Sequence, residues 1–132
     1  MVTEPGNDAV VRRLFAAFER KDAFGLRELF AVDAVWRVGG SSRLAGTYQG
    51  RREIVRFLGS LPRLTDGTYA SRLIDVLASE DRAAVLYRAT GQREGRALDI
   101  EQLLLFTLRD GVVIDVLALP SDQKAFDLFW GE

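Results

Sequence analysis

Apolar residues in the first part of the chain recur at the spacing of an α-helix. One stripe predicts a helix over residues 8–20 and consists of Val10, Val11, Leu14, Phe15 and Phe18. Asn7 and Asp8 stand where a side chain can cap the first turn. A second, shorter helix ending near Ala31 is indicated by Phe24, Leu26, Leu29 and Phe30.

The middle of the chain alternates between strand, loop and helix signals. Residues 34–38 have the composition of a β-strand that stops at Gly39 and Gly40. Residues 41–49 read as a loop that contains Tyr48. A third helix, ended by Pro62, is predicted from Ile54, Val55, Phe57, Leu58 and Leu61.

After residue 67 the pattern changes to strands joined by short polar turns. The strands are predicted over residues 69–78, 83–91, 97–108 and 112–119, with hairpin turns at 79–81, 93–95 and 109–111. Ser121 or Asp122 can cap a last helix that carries Phe126, Leu128, Phe129 and Trp130. Helices followed by a long meander predict an α+β fold with the helices on one face of the sheet.

The strand over residues 97–108 is apolar on both of its faces, because residues 103–106 read Leu-Leu-Leu-Phe. One face can pack against the helices. The other needs a second cover, and another copy of the same sheet is the simplest one. We therefore predict a homodimer.

Length and charge narrow the classes of function. A chain of 132 residues suits one domain, 1–132, with its core over about residues 8–130. The 18 basic and 19 acidic side chains leave a net charge of −1, so no nucleic-acid or anionic membrane partner is expected. No stretch approaches the roughly 20 apolar residues of a membrane span, and a cytoplasmic location is expected.

The sequence contains neither cysteine nor histidine. Thiolate nucleophiles and the usual base near neutral pH are therefore missing, as are the usual ligands of zinc or iron. We expect no metal site and no cofactor. Proton transfer would fall to Asp, Glu, Tyr or Lys.

Three short segments carry a family resemblance: residues 29–36 (LFAVDAVW), 44–51 (LAGTYQGR) and 108–113 (LRDGVV). In this order the chain resembles the SnoaL-like branch of the nuclear-transport-factor-2-like superfamily over almost its whole length. The resemblance implies N-terminal helices packed on a curved, mostly antiparallel sheet, with a deep pocket between them. It implies a small, largely apolar organic ligand and a cofactor-independent cyclase or isomerase of polyketide-like compounds.

The resemblance also implies which residues form the pocket. Its expected walls and polar groups are Phe18, Trp36, Val38, Tyr48, Phe57, Gln102, Leu104, Val116 and Ala118. Trp36 can serve core packing or ligand stacking, and the Tyr48 hydroxyl can bind ligand or cap its loop. Three aromatic side chains can instead fill the pocket between the helices and the sheet: Phe15, Phe18 and Phe57. A filled pocket would suit a non-catalytic dimeric binding or accessory protein.

The residues that two known reactions of this superfamily require are absent from this sequence. The steroid-isomerase base falls on Val38 and its tyrosine on Leu14, while its acid donor falls near Gln102 or Leu103. The epoxide-hydrolase base falls on Ala118, and residues 83–91 contain no Asp or Glu to pair with Arg88.

Asp99, Glu101 and Asp115 are the remaining candidates for an acid or base. Asp99 and Glu101 share one face of a strand, because side chains alternate. Facing inward, they would share a dry pocket and one pKa would rise, as a general acid requires. With Gln102 facing the cavity both point outward instead, which is the interpretation we favour. We then expect Arg88 to pair with Asp99 or Glu101 rather than with an acidic ligand.

Overall fold

The computed structural model describes residues 6–132, which form four helices and six strands. The helices are α1 (Asn7–Glu19), α2 (Ala23–Glu28), α3 (Arg51–Leu64) and α4 (Gln123–Trp130). The strands are β1 (Phe30–Val38), β2 (Gly46–Gln49), β3 (Ala70–Ala78), β4 (Arg82–Arg93), β5 (Arg96–Arg109) and β6 (Val112–Pro120). Within this range no helix is both long and apolar enough to span a membrane.

The strands form one curved sheet in the order β2-β1-β6-β5-β4-β3. β1 and β6 run parallel, and the other neighbouring pairs run antiparallel. α1 lies against β3 and β4, α3 against β1 and β2, and α4 against β5 and β6. The predicted α+β class is confirmed.

Alternation along the strands separates a helix-facing side from an outer side. In β4, Ala83, Val85, Tyr87 and Ala89 are buried, whereas Arg88 and the other intervening residues are only partly buried. The alternation arises because successive side chains of a strand point to opposite faces. The helix-facing side therefore holds the core.

Two predicted hairpin turns have the backbone that tight hairpins need. Glu94 and Gly95 have φ of 50° and 77°, and Asp110 and Gly111 have φ of 53° and 78°. Two consecutive positive φ angles give a turn whose twist matches that of the flanking strands. These turns set the register of β4 with β5 and of β5 with β6.

Two element boundaries differ from the sequence prediction. α2 ends at Glu28 instead of near Ala31, because Phe30 already pairs with Val113 and opens β1. The predicted loop over residues 41–49 contains β2, in which Tyr48 pairs with Trp36. Pairing with distant parts of the chain outweighs the local pattern in both places.

Helix ends differ as well. The N-cap of α1 is Gly6, which offers no side-chain bond, and the Asn7 amide donates instead to the carbonyls of Ser79 and Glu80, at 2.9 Å each. Pro62 lies within the last turn of α3 and does not end it. The predicted capping of α4 holds for Asp122, whose carboxylate accepts from the Ala125 amide at 3.0 Å.

Candidate ligand-binding site

A cavity of about 60 Å³ lies between the helix-facing side of the sheet and α1, α3 and α4. Its wall is largely apolar and aromatic, with a few polar groups. The lining residues are Leu14, Phe15, Phe18, Trp36, Val38, Leu44, Phe57, Leu58, Leu61, Tyr69, Ser71, Tyr87, Gln102, Leu104, Ala118, Phe126 and Trp130.

Strand register brings the sheet residues of this wall together. Val38 pairs with Ala118, Ala118 with Leu104, and Tyr87 with Gln102. Paired residues of neighbouring strands share a face, so residues far apart in the sequence form one continuous wall. The predicted pocket residues Phe18, Trp36, Val38, Phe57, Gln102, Leu104 and Ala118 all line the cavity.

Tyr48 and Val116 do not line the cavity, contrary to expectation. The Tyr48 hydroxyl donates to the Leu44 carbonyl at 2.7 Å, and its ring stacks on Phe57 with centroids 4.2 Å apart. Tyr48 thus holds the turn that leads into β2, and burial raises the pKa of its hydroxyl. Val116 is fully buried beside its register partners Trp36 and Phe106, whose ring centroids are 6.4 Å apart.

Aromatic rings narrow the cavity from the side of α1. Phe15 meets Tyr87 edge-on at 5.2 Å between centroids, and Phe18 meets Tyr69 edge-on at 6.0 Å. Phe15, Phe18, Tyr69 and Ser71 line both the cavity and an outer groove between α1 and β3. These residues therefore form the partition between the interior and the surface groove.

An uncharged polar cluster occupies one part of the wall. The Gln102 amide donates to the Tyr87 hydroxyl at 3.1 Å, and both residues are buried. Burial raises the pKa of Tyr69 to about 12, while hydrogen bonds from Gln102 and Tyr87 act in the opposite direction. Burial also raises the pKa of Tyr87 well above its ordinary value. All three groups are therefore neutral near pH 7.

The candidate carboxylates Asp99 and Glu101 lie on the outer side of the sheet. The Arg88 guanidinium is 2.6 Å from Asp99 and 3.9 Å from Glu101. This confirms the expected ion pair, although Arg88 is partly exposed instead of buried in the strand. The hydrogen bond from Arg88 lowers the pKa of Asp99. Neither carboxylate borders the cavity.

Asp115 also points away from the cavity and pairs with Arg37 at 2.6 Å. Among the described residues, none that lines the cavity is an Asp, Glu, Lys or Arg. The wall therefore offers hydrogen bonds from neutral groups, with tyrosines as its titratable side chains.

Sequence reasoning missed Tyr69, Ser71, Tyr87, Phe126 and Trp130 as lining residues. One signal for Tyr87 was available: if Arg88 faces outward, alternation turns Tyr87 inward. Trp130 and Phe126 reach the cavity from α4, and no local pattern reports where a terminal helix packs on a sheet.

Comparison with known proteins supports the resemblance. Residues 11–116 match the model of the SnoaL-like domain. An uncharacterised protein of Mycobacterium tuberculosis, Rv0034, is 34% identical over 130 residues, covering 98% of this chain and 99% of that protein. Bal32a, from a soil-derived mobile gene cassette, is 38% identical with a TM-score of 0.91, over 95% of this chain and 96% of Bal32a.

More distant structures share the fold. A nuclear-transport-factor-2-like protein of Burkholderia xenovorans is 24% identical with a TM-score of 0.79, over 95% of each chain. A putative SnoaL-like polyketide cyclase of Jannaschia is 19% identical with a TM-score of 0.79, over 100% of this chain and 99% of the cyclase. The predicted nuclear-transport-factor-2-like fold is confirmed.

Proposed function

This chain belongs to the SnoaL-like domain family, and on that premise we propose that it binds a small, largely apolar organic molecule in the cavity between the helices and the sheet. The observation that carries the proposal is the aromatic cavity with its uncharged cluster of Tyr69, Tyr87 and Gln102. Apolar walls with a few placed polar groups are the usual composition of small-molecule sites.

Cavity size limits the ligand. A volume of about 60 Å³ is well below the roughly 150 Å³ of an engineered protein cavity that holds benzene. A molecule larger than a few heavy atoms must therefore displace side chains. Phe15 and Phe18, which separate the cavity from the outer groove, are the side chains whose rotation would join the two spaces.

The reaction that we propose is a cofactor-independent cyclisation or isomerisation of a polyketide-like compound. Holding a flexible substrate in a reactive shape contributes much of the rate in such reactions. The putative cyclase of Jannaschia shares the fold, which supports the proposal at the level of the scaffold. Any proton transfer at this wall would depend on the neutral hydroxyls of Tyr69 and Tyr87.

A second candidate is a non-catalytic binding or accessory protein. The specific observation in its favour is the lack of a carboxylate among the described lining residues. The cavity is also narrowed by the rings of Phe15, Phe18 and Phe57, which favours a protein that binds without catalysing a reaction. Turnover of a bound polyketide-like compound, followed by mass spectrometry of the products, separates the two candidates.

The binding proposal is tested by native mass spectrometry of freshly purified protein, followed by denaturing extraction of the bound molecule. The test variant is Ala118→Leu, which fills the cavity from β6. The matched control is Ala97→Leu, the same change at an exposed position of β5. We expect the wild type and Ala97→Leu to carry a small organic adduct that Ala118→Leu lacks.

If no molecule co-purifies, titration with toluene provides the same comparison through the protein's amide NMR spectrum. Equal binding by Ala118→Leu and the wild type would place the ligand outside the cavity. No binding by any of the three proteins would remove the proposal.

We also propose a homodimer formed through the outer side of the sheet. Register aligns Leu77, Ala84, Leu105 and Leu117 in one row across four strands. A second row contains Leu86, Leu103 and Leu119. Leu77 and Leu119 are 70% and 41% exposed. A continuous apolar face of this kind suits a second copy of the chain.

A further inference from the structure

A second apolar surface lies outside the cavity, in a groove between α2 and the first turn of α3. The volume of this α2–α3 groove is about 730 Å³. Phe24 and Val32 lie in it and are 71% and 70% exposed. Neighbouring exposed apolar side chains with a charged rim are typical of interaction sites. The lining residues are Ala23, Phe24, Arg27, Val32, Gly50, Arg51, Arg52 and Val55, none of which lines the cavity.

An irregularity in β1 brings Val32 to this surface. Phe30 pairs with Val113 and Val35 with Asp115, so four residues of β1 lie opposite a single residue of β6. Among those four, Ala34 is fully buried while Val32 remains open. Extra residues in a strand redirect side chains and often lie beside functional sites. The exposure of Val32 is therefore built into the fold of the strand.

The charged side chains of the α2–α3 groove are all positive. Arg27 comes from α2, and Arg51 and Arg52 open α3. Within residues 6–132, none of the three forms an ion pair with a carboxylate. No Asp or Glu belongs to the described lining residues, although the whole chain has 18 basic and 19 acidic side chains. A local positive potential of this kind attracts an acidic partner.

The same features argue against other occupants. A symmetric contact with a second copy would bring the arginines of the two chains together, and like charges across an interface repel. Small-molecule sites bury most of their ligand, whereas Phe24 and Val32 lie on an open surface. Single-stranded nucleic acid stacks its bases on aromatic rings, and Phe24 is the only aromatic residue among the described lining residues.

We propose that the α2–α3 groove docks an acidic amphipathic helix of a partner protein. A groove between two helices suits the apolar face of a third, which would contact Phe24 and Val32. Carboxylates along the edges of that helix would pair with the three arginines, whose planar guanidinium groups bind them in a bidentate manner. The inference is independent of the ligand in the cavity, because the two sites share no lining residue.

The test uses a synthetic helical peptide of about 18 residues, with leucines at helical spacing on one face and glutamates on the other. The peptide carries a fluorophore, and the protein is added while anisotropy is recorded. One reference peptide has lysine in place of every glutamate, and a second has alanine in place of every leucine. We expect the acidic amphipathic peptide to bind at least about tenfold more tightly than either reference.

Two pairs of variants place the peptide in the groove. Arg27→Glu should weaken binding at least about tenfold, because it turns an attraction into a repulsion. Its matched control is Arg13→Glu, the same change at an exposed position of α1. Phe24→Ala should also weaken binding, whereas Leu128→Ala, at a position of α4 that is 63% exposed, should not.

Three results would overturn the inference. The first is that none of the peptides binds to protein whose circular dichroism is that of the folded chain. The second is that Arg27→Glu and Phe24→Ala bind the acidic peptide as tightly as the wild type does. The third is tighter binding to phosphatidylserine vesicles or to a single-stranded oligonucleotide than to the acidic peptide, which would assign the groove to a membrane or a nucleic acid.

Discussion

Gln102 is a polar side chain in the middle of an apolar strand, with Leu103, Leu104 and Leu105 directly after it. Gln102 is only 4% exposed, so its side-chain amide must find hydrogen-bond partners inside the protein. Tyr87, its register partner on β4, supplies one at 3.1 Å. The pair explains how a buried amide is accommodated, and it holds the Tyr87 hydroxyl at a defined place in the cavity wall.

Alkaline pH should destabilise the protein through the tyrosines of its cavity wall. The pKa of Tyr69 is raised to about 12, against roughly 10 in an unfolded chain. A raised pKa contributes stability below pH 10, and that contribution is lost as pH rises towards 12. From Tyr69 alone we expect a loss of about 1 kcal/mol in the free energy of unfolding between about pH 9 and 11.

Urea unfolding at those two pH values measures this loss. Tyr69→Phe should lose less stability over the interval than the wild type does. A wild-type free energy of unfolding that stays constant to pH 11, or a variant that falls as steeply, would contradict the assignment.

The ion pair of Arg88 and Asp99 should matter little to ligand binding. Both groups lie on the outer side of the sheet, and exposed pairs contribute weakly to stability. We expect Asp99→Asn to change ligand affinity by no more than about twofold. A hundredfold loss of affinity or turnover would instead make Asp99 part of the site.

The same pair has a defined pH dependence. Arg88 lowers the pKa of Asp99, so its contribution to stability is present above the ordinary Asp pKa of about 3.9 and is lost as pH falls through the lowered value. The difference in melting temperature between the wild type and Asp99→Asn should therefore be larger at pH 7 than at about pH 2.5. An equal difference in melting temperature at both pH values would show that the ion pair contributes nothing to stability.

At the scale of elements, α4 closes the cavity that the sheet leaves open. Phe126 and Trp130 both line the cavity, and Trp130 also packs against Phe129 at 4.9 Å between centroids. The helix has only eight residues, so its own backbone hydrogen bonds hold it weakly. Its cap at Asp122 and its packing on β5 and β6 fix it in place.

Loss of this cap should weaken both stability and binding. We expect Asp122→Ala to lower the free energy of unfolding by about 1 kcal/mol and to reduce ligand affinity, because α4 carries Trp130. The matched control is Asp22→Ala, which removes the cap of α2, a helix that contributes no residue to the cavity. Denaturant unfolding and ligand titration of both variants make the comparison.

The control should lose stability but keep its affinity for ligand. Equal losses of affinity in the two variants would mean that the cap of α4 acts only through global stability.

Most elements were predictable because their patterns are local. The stripe from Val10 to Phe18 and the alternation along β4 and β5 each follow from one segment of sequence. β2 was not predictable, because its four residues become a strand only by pairing with β1. At Trp36 and Gln102 the cavity wall was predicted from the family resemblance, and the alternation of side chains along β1 and β5 agrees with that placement. The wall was missed at Trp130, where helix packing decides it.

At the scale of the whole molecule, the two mainly leucine rows on the outer side of the sheet form an apolar and partly exposed strip beside the charged residues of that side. Leu103 and Leu105 lie at the centre of that side, between β4 and β6. Burial of apolar surface in a symmetric contact would contribute roughly 25 cal/mol per Å² before the costs of association. This face is therefore the surface by which two chains are expected to meet.

A charge at the centre of this face should separate the chains. We expect Leu105→Arg to sediment as a monomer where the wild type sediments as a dimer, because the guanidinium would be buried without a partner. The control is Phe24→Arg, since Phe24 is an apolar residue of α2 that is 71% exposed away from the sheet. A wild type that sediments as a monomer would remove the dimer proposal.

Both tryptophans of this protein lie in the wall of the cavity, so its intrinsic fluorescence arises almost wholly from the site itself. The emission of a buried indole reports the polarity of its surroundings, and a molecule that enters must change it. Candidate ligands can therefore be screened on the unlabelled wild-type chain, with no reporter group that would alter so small a space.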